Sequence, residues 1–202
     1  MIVGPNTTVC VEGYPRSANT FTHEALATAN PGLEIAHHVH QPAQITRAAR
    51  FEVPCVVLVR EPAAAIASHF VFNRGRSSLR RLIADYVNFY SRAHGPIASG
   101  AAAVCRFEQA TASPRAASDL LNSRFGCELE HCTLSVEELR ASLARFDGEP
   151  RRRAAEFERR RAGETREDLE GRVRAQSGFG RAVEAFEATI AADAGAELAA
   201  ST

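Results

Sequence analysis

The chain has no lysine; every one of its 24 basic side chains is arginine. That absence excludes lysine Schiff bases, lysine general bases and the lysine of a nucleoside-triphosphate loop. No C-x-x-C pair occurs among the five cysteines. Their odd number, with Cys10, Cys55 and Cys105 inside apolar runs, marks them as free thiols that behave as small hydrophobes. A reducing cytoplasm is the expected setting. No apolar run approaches the roughly 20 residues that cross a bilayer, and no basic segment leads into an apolar one at the N-terminus. The expectation is a soluble protein with no membrane span. Neither sign of charge is in excess, 24 basic against 24 acidic, so nothing global points to nucleic acid. Any anion site must be local. No internal repeat is visible.

What is present suits one domain: 202 residues, 45% of them apolar, can bury a single sizeable core. Four short apolar runs read as buried strands, Thr8 to Glu12, Leu33 to His38, Pro54 to Val59 and Ala102 to Phe107. Helical patterns alternate with them over Ala18 to Ala29, Pro42 to Phe51, Pro62 to Phe72, Ser77 to Ala93 and Pro114 to Phe125. Alternation of this kind predicts an α/β fold, a parallel sheet flanked by helices on both faces, with ligands outside the carboxyl ends of the strands; with the phosphate-binding type of loop after its first strand, the expectation is a three-layer P-loop-type sheet. Pro62 suits a first helical turn, and Ser113-Pro114 reads as a second cap-and-first-turn pair. The core spans about residues 8–126. Residues 147–180, rich in Arg and Glu, read as a charged flap or solvated helix, and residues 179–200 as a C-terminal helix packing back through Phe179, Val183, Phe186 and Ile190.

The first strand runs into Gly13-Tyr14-Pro15-Arg16-Ser17-Ala18-Asn19-Thr20-Phe21, which opens a helix. Backbone N–H groups at such a turn converge, and the helix dipole adds positive charge, so a phosphate or sulfonate is favoured there. Ser17, Asn19 and Thr20 add side-chain donors. Against G-x-x-x-x-G-K-[ST], Ala18 replaces the second glycine and Asn19 the lysine. The third strand ends in Arg60-Glu61-Pro62, with Ser68 eight residues after Arg60. In a nucleoside triphosphatase that strand end would carry a metal-holding carboxylate. An arginine fork and a serine hydroxyl can instead meet a second phosphate.

Tyr14 to Phe21 resembles the 5′-phosphosulfate loop of the sulfotransferases, and Val57 to Pro62 with Ser68 resembles their 3′-phosphate motif. Val104 to Gln109, followed by a helix ending Phe125-Gly126, is similar to a further segment of that family, and the likeness covers about residues 8–126. The resemblance implies 3′-phosphoadenosine 5′-phosphosulfate (PAPS) as sulfuryl donor, with no metal. It implies donor binding by Tyr14, Pro15, Arg16, Ser17, Ala18, Asn19, Thr20, Phe21, Arg60 and Ser68. A small-molecule or glycan acceptor would receive the sulfuryl group, while Arg16 and the loop amides stabilise charge on the departing phosphate. Arg16 stands where cytosolic members carry lysine. The family's C-terminal R-K-G-x-x-G element is absent, so Arg151 to Arg153 or Arg172 to Gly180 could substitute only by analogy.

The family places its base in an H-x-P element between these motifs. His40-Gln41-Pro42 fits by spacing and His38 by distance from Arg60, so His40 is the first candidate and His38 the second. His69 reads as structural, and His23 has no assigned role. Two alternatives stay open: a P-loop kinase-like phosphotransferase, and a non-catalytic nucleotide-binding module of the same fold.

Overall fold

A computed structural model describes residues 1–146 and 164–200. Its centre is a parallel four-stranded sheet of β1 (Val9–Gly13), β2 (Ile35–His37), β3 (Cys55–Val59) and β4 (Ala103–Arg106), in the order β2-β1-β3-β4. The register sets Val9 against Ile35, Cys10 against Cys55, Gly13 against Leu58 and Val56 against Ala103. Strand side chains alternate between two cores, as the two-residue period of a strand requires. Cys10, Ala36, Cys55, Val57 and Val59 join one apolar cluster; Val9, Val11, Ile35, Val56 and Leu58 join the other.

The first core is covered by α2 (Pro42–Arg50), α3 (Pro62–Phe72), α4 (Leu79–Ala98), α8 (Arg166–Arg174) and α9 (Phe179–Ala200). The second is covered by α1 (Asn19–Ala29), α5 (Phe107–Ala112) and α6 (Ala116–Phe125). α7 (Val136–Phe146) buries Leu139 and Leu143 against Phe21 and Ala25 of α1. Helices therefore cover both faces of the sheet. The chain leaves β1 toward β2 but returns past β1 to reach β3, so the strand order reverses between β1 and β3. A crevice at the carboxyl ends of those two strands is where open α/β sheets hold ligands.

Several expectations needed adjustment. β2 stops at His37 because His38 takes φ 61°, which turns the chain out of the sheet. α4 continues through Pro96 to Ala98, five residues past the expected end. Ser113-Pro114 does not cap α6: Pro114 lies in a turn and the helix starts at Ala116, whose N–H reaches Ser113 O at 3.2 Å. Part of the expected charged flap, residues 147–163 with Arg151 to Arg153, lies outside the described residues. The rest of it forms α8, capped by Thr165, with Leu169 and Val173 in the core. The C-terminal helix packs on α4, burying Ala182 and Thr189, with Phe179, Phe186 and Ile190 of the expected row against the core and Val183 half-buried. All five cysteines are free, four of them buried. Among the described residues no helix is long and apolar enough to cross a membrane.

Candidate anion site and its histidines

β1 ends on Gly13, and the absence of a side chain there is a steric requirement. A Cβ would sit 2.6 Å from Leu58 O and 2.9 Å from Leu58 Cβ on the paired strand. From Gly13 the chain turns through two left-handed non-glycine residues, Arg16 at φ 72° and Ala18 at φ 76°. Ala18 is the N-cap of α1 and cannot cap it through its side chain, and no acidic residue occupies the first turn. By contrast, Glu61 caps α3 and Ser78 caps α4. The N–H groups that open α1 thus point at the switch-point crevice without a side-chain acceptor.

The cations gather here. Arg60, 7% exposed at the end of β3, donates through NH1 to Arg16 O at 2.9 Å and stacks 4.0 Å over Phe107. Arg16 donates through Nε to Ser68 Oγ at 3.3 Å and lies 4.7 Å over Phe72. Ser68 is therefore paired with Arg16 rather than with Arg60. Burial, then the neighbouring Arg166 and Arg16, lower the Arg60 pKa to about 10, so its charge persists at neutral pH. Sequence reasoning missed Arg166, because its approach depends on α8 folding back over α3.

The expected side-chain donors divide. Thr20 is exposed, and its hydroxyl lies 2.9 Å from His38 Nε2. Asn19 is buried and turns inward, Nδ2 donating to Tyr14 O at 3.2 Å. Ser17 is fully buried beside Tyr90, and Phe21 packs against α7. Tyr14 is buried too, its hydroxyl donating to Leu82 O at 3.1 Å. Pro15 borders a cavity described below. Of the side chains from Gly13 to Phe21, those of Tyr14, Ser17, Asn19 and Phe21 are buried, while Arg16 is half-buried and Thr20 exposed.

All three tyrosines of the chain cluster beneath the loop in edge-on and tilted contacts, Tyr14 5.0 Å from Tyr86 and Tyr86 4.7 Å from Tyr90. Tyr86 OH donates to Arg60 O at 2.7 Å and Tyr90 OH to Leu58 O at 2.8 Å, so the end of β3 is fixed from below.

Beyond β2 the chain turns again through two left-handed residues, His38 at φ 61° and His40 at φ 54°. Glu12, fully buried on β1, holds this turn: its two carboxylate oxygens accept from the N–H groups of Val39 and His40, each at 2.9 Å. Burial raises the Glu12 pKa to about 7 against those hydrogen bonds. The alternation of Glu12 with inward apolar residues hid this role in the sequence.

His38 and His40 occupy different environments. His38 touches His37 through their Nδ1 atoms and Thr20 through Nε2, so both ring nitrogens are engaged. His37 stacks on His23 at 3.7 Å. Desolvation by burial, with charge repulsion from His23 and His38, holds the His37 pKa down at about 3. His40 Nδ1 lies 2.9 Å from Gly13 O, and a carbonyl can only accept, so Nδ1 carries the proton and Nε2 a bare lone pair. Burial holds the His40 pKa below the ordinary imidazole value, so the ring is neutral at neutral pH. Among the described residues no group of three or more His, Cys, Asp or Glu side chains could hold a metal ion.

A cavity of about 390 Å³ opens beside the loop, between Tyr14, Pro15, the start of α2, and α3 and α4. It brings together His40 and His69, which sequence reasoning had treated as unrelated. Compared with protein-family models, with curated proteins and with solved structures, the chain matches none.

Proposed function

We propose that the protein is a P-loop-type sulfotransferase that moves the sulfuryl group of PAPS to an acceptor hydroxyl or amine. The observation that carries the reading is Arg60. This guanidinium is buried and charged, and it is held by a carbonyl oxygen and an aromatic ring, with Arg16 and Arg166 beside it. Arg166 and Arg16 outweigh Glu108 and Glu170 around it; a buried charge in such surroundings calls for an anion, and the uncapped start of α1 is a second attraction for one.

Arg16 and the N–H groups that open α1 would hold the 5′-phosphosulfate. Arg60, with Arg166 and the Ser68 hydroxyl nearby, would hold the 3′-phosphate. PAPS supplies, when bound, a sulfuryl group on a phosphate leaving group. Arg16 places a fixed positive charge at the loop, suited to stabilising charge that develops on a departing phosphate oxygen. Its guanidinium stays charged and gives no proton. His40 Nε2, bare and neutral, is suited to accept the acceptor's proton. Several carboxylates around these groups already have partners: Glu61 caps α3, Glu12 holds the turn at His40, and Glu170 pairs with Arg166 and Arg174. That favours bisphosphate recognition by arginines over a magnesium-dependent nucleotide site. Five free thiols favour a reducing compartment such as the cytoplasm.

Calorimetric titration provides the test. 3′,5′-Bisphosphoadenosine should bind without magnesium and much more tightly than ATP with magnesium. The reverse preference would sink the proposal in favour of a phosphotransferase. Bisphosphate binding without transfer from labelled PAPS to any member of a broad acceptor set would leave a non-catalytic nucleotide-binding module.

A further inference from the structure

The cavity beside the loop is lined by two imidazoles on different helical connections, His40 before α2 and His69 within α3. Their proton positions follow from their partners. Tyr14 has one phenolic hydrogen, which goes to Leu82 O, so the contact of 3.0 Å between Tyr14 OH and His69 Nδ1 must use a proton on the imidazole. His69 is therefore an Nδ1–H tautomer, as His40 is through Gly13 O. Each ring that lines the cavity keeps a bare Nε2.

Two bare imidazole nitrogens accept hydrogen bonds and offer none. The Asp85 carboxylate, also in the lining, is another acceptor, but its charge is engaged by Arg81 at 2.9 Å. Such a wall selects a ligand rich in hydrogen-bond donors, and the Arg92 charge in the same lining counts against a cationic amine. Arg92, an exposed residue of α4 in the same lining, has no ion-pair partner among the described residues, so it favours an anionic group on the same ligand. Phe89 and Pro42 supply apolar surface against which the C–H face of a ring can lie. At about 390 Å³ the space suits a molecule of saccharide size.

We propose that this cavity is the acceptor site and that its ligand is a polyhydroxylated ring bearing a carboxylate or comparable anion, with His40 and His69 each accepting from a hydroxyl and Arg92 meeting the anion. His69 is a positioning residue that orients the ligand so that one hydroxyl faces His40. The transfer step rests on the sulfotransferase reading; the binding site does not.

The probes are methyl glucuronide, methyl glucoside and 2-naphthol, titrated into the full chain carrying ¹⁵N-labelled histidine. Methyl glucuronide should bind about fivefold more tightly than the uncharged glucoside, a preference that Arg92→Gln removes. His69→Asn keeps a side-chain N–H for Tyr14 but deletes Nε2, and should weaken both sugars about fivefold while bisphosphate affinity holds. In the unsubstituted protein both Nε2 signals should show a bare nitrogen and move together as glucuronide is added. That measurement decides the matter even if a variant does not fold. Preference for 2-naphthol, a glucuronide preference that survives Arg92→Gln, or a static His69 signal would each overturn the inference. Sugar binding without bisphosphate binding would keep this site and remove the sulfotransferase reading. Bisphosphate binding without sugar binding would do the opposite.

Discussion

The turns that follow β1 and β2 are built alike and present opposite chemistry. Each passes through two left-handed non-glycine residues, Arg16 and Ala18 in the first, His38 and His40 in the second. Such residues cost of order 1–3 kcal/mol and persist where the surroundings fix them. What differs is the fate of the backbone N–H groups. After β1 the start of α1 has no side-chain cap, and the positive charge of Arg16 and Arg60 is added to it. After β2 the N–H groups of Val39 and His40 are taken up by Glu12, and the bare Nε2 of half-buried His40 is the group that turn offers. One turn suits an anion and the other a proton. The end of β1 ties them together, because Gly13 O fixes His40 while Gly13 itself opens the loop.

The sharpest way to separate the two turns is to damage each alone. His40→Asn keeps a donor toward Gly13 O and removes the lone pair, so turnover with labelled PAPS should fall about 10²- to 10⁴-fold, while bisphosphate affinity stays within about twofold, well under the roughly tenfold that a lost charged hydrogen bond costs. In the unsubstituted protein turnover should rise with pH through an ionisation below the ordinary imidazole value of 6.5, the direction in which burial moves His40. Loss of turnover in His38→Asn and not in His40→Asn would reverse the assignment of the base.

Arg60→Ala strikes the other turn. It removes the hydrogen bond to Arg16 O and the buried charge, so bisphosphate affinity measured by calorimetry should drop about 10- to 100-fold, with the His40 imidazole signal unchanged. Equal damage to both properties would mean that the turns are not independent.

Glu12 offers a thermodynamic handle on the second turn. Its pKa is about 7 folded against 4.5 as its ordinary value. A raised carboxyl pKa stabilises the fold fully below 4.5, and that contribution is lost as pH rises through 7. The loss amounts to about 3 kcal/mol. Depressed histidines such as His69, at about 4, act oppositely, losing stability as pH falls below 6.5. Between pH 6.5 and 7.5 the Glu12 contribution falls while those of His23, His37, His40 and His69 are still rising, because their unfolded-state titration is centred at 6.5. Denaturant unfolding across that window should therefore show stability rising more steeply with pH in Glu12→Gln than in the native protein, the difference being the Glu12 contribution. An unchanged profile would remove Glu12 as the titrating group.

Much of this was legible in the sequence, for identifiable reasons. β1 and β3 are continuous buried runs, and Pro42 and Pro62 sit in first helical turns, so the frame around the crevice could be read directly. The start of α7 carries a local signal as well: Ser135 and Glu138 form a reciprocal cap, with bonds of 2.8 and 3.2 Å, in the S-x-x-E pattern. Other features depend on long-range packing that no local pattern carries. Arg166 reaches Arg60 only because α8 returns over α3, and His69 joins His40 only because α3 lies beside the start of α2. Asn19 read as a phosphate donor, yet Tyr14 O lies within its reach and takes the amide instead.

The smallest effect tests the first turn's backbone. Ala18 sits at φ 76° and ψ 16°, with its methyl partly buried between two apolar clusters. Glycine there would remove left-handed strain of about 1–2 kcal/mol. It would also free the unfolded chain at a cost of about 0.4–1 kcal/mol and give up part of a methyl contact worth at most about 0.8 kcal/mol. These terms nearly cancel, so Ala18→Gly should shift stability by less than about 1 kcal/mol and leave bisphosphate affinity unchanged. Ala18→Val supplies the contrast, because a β-branched residue tolerates φ > 0 poorly and should cost about 1–3 kcal/mol in calorimetric unfolding. If valine were neutral while glycine destabilised, Ala18 would not be left-handed. The N–H groups that open α1 would then lack the turn that aims them at an anion.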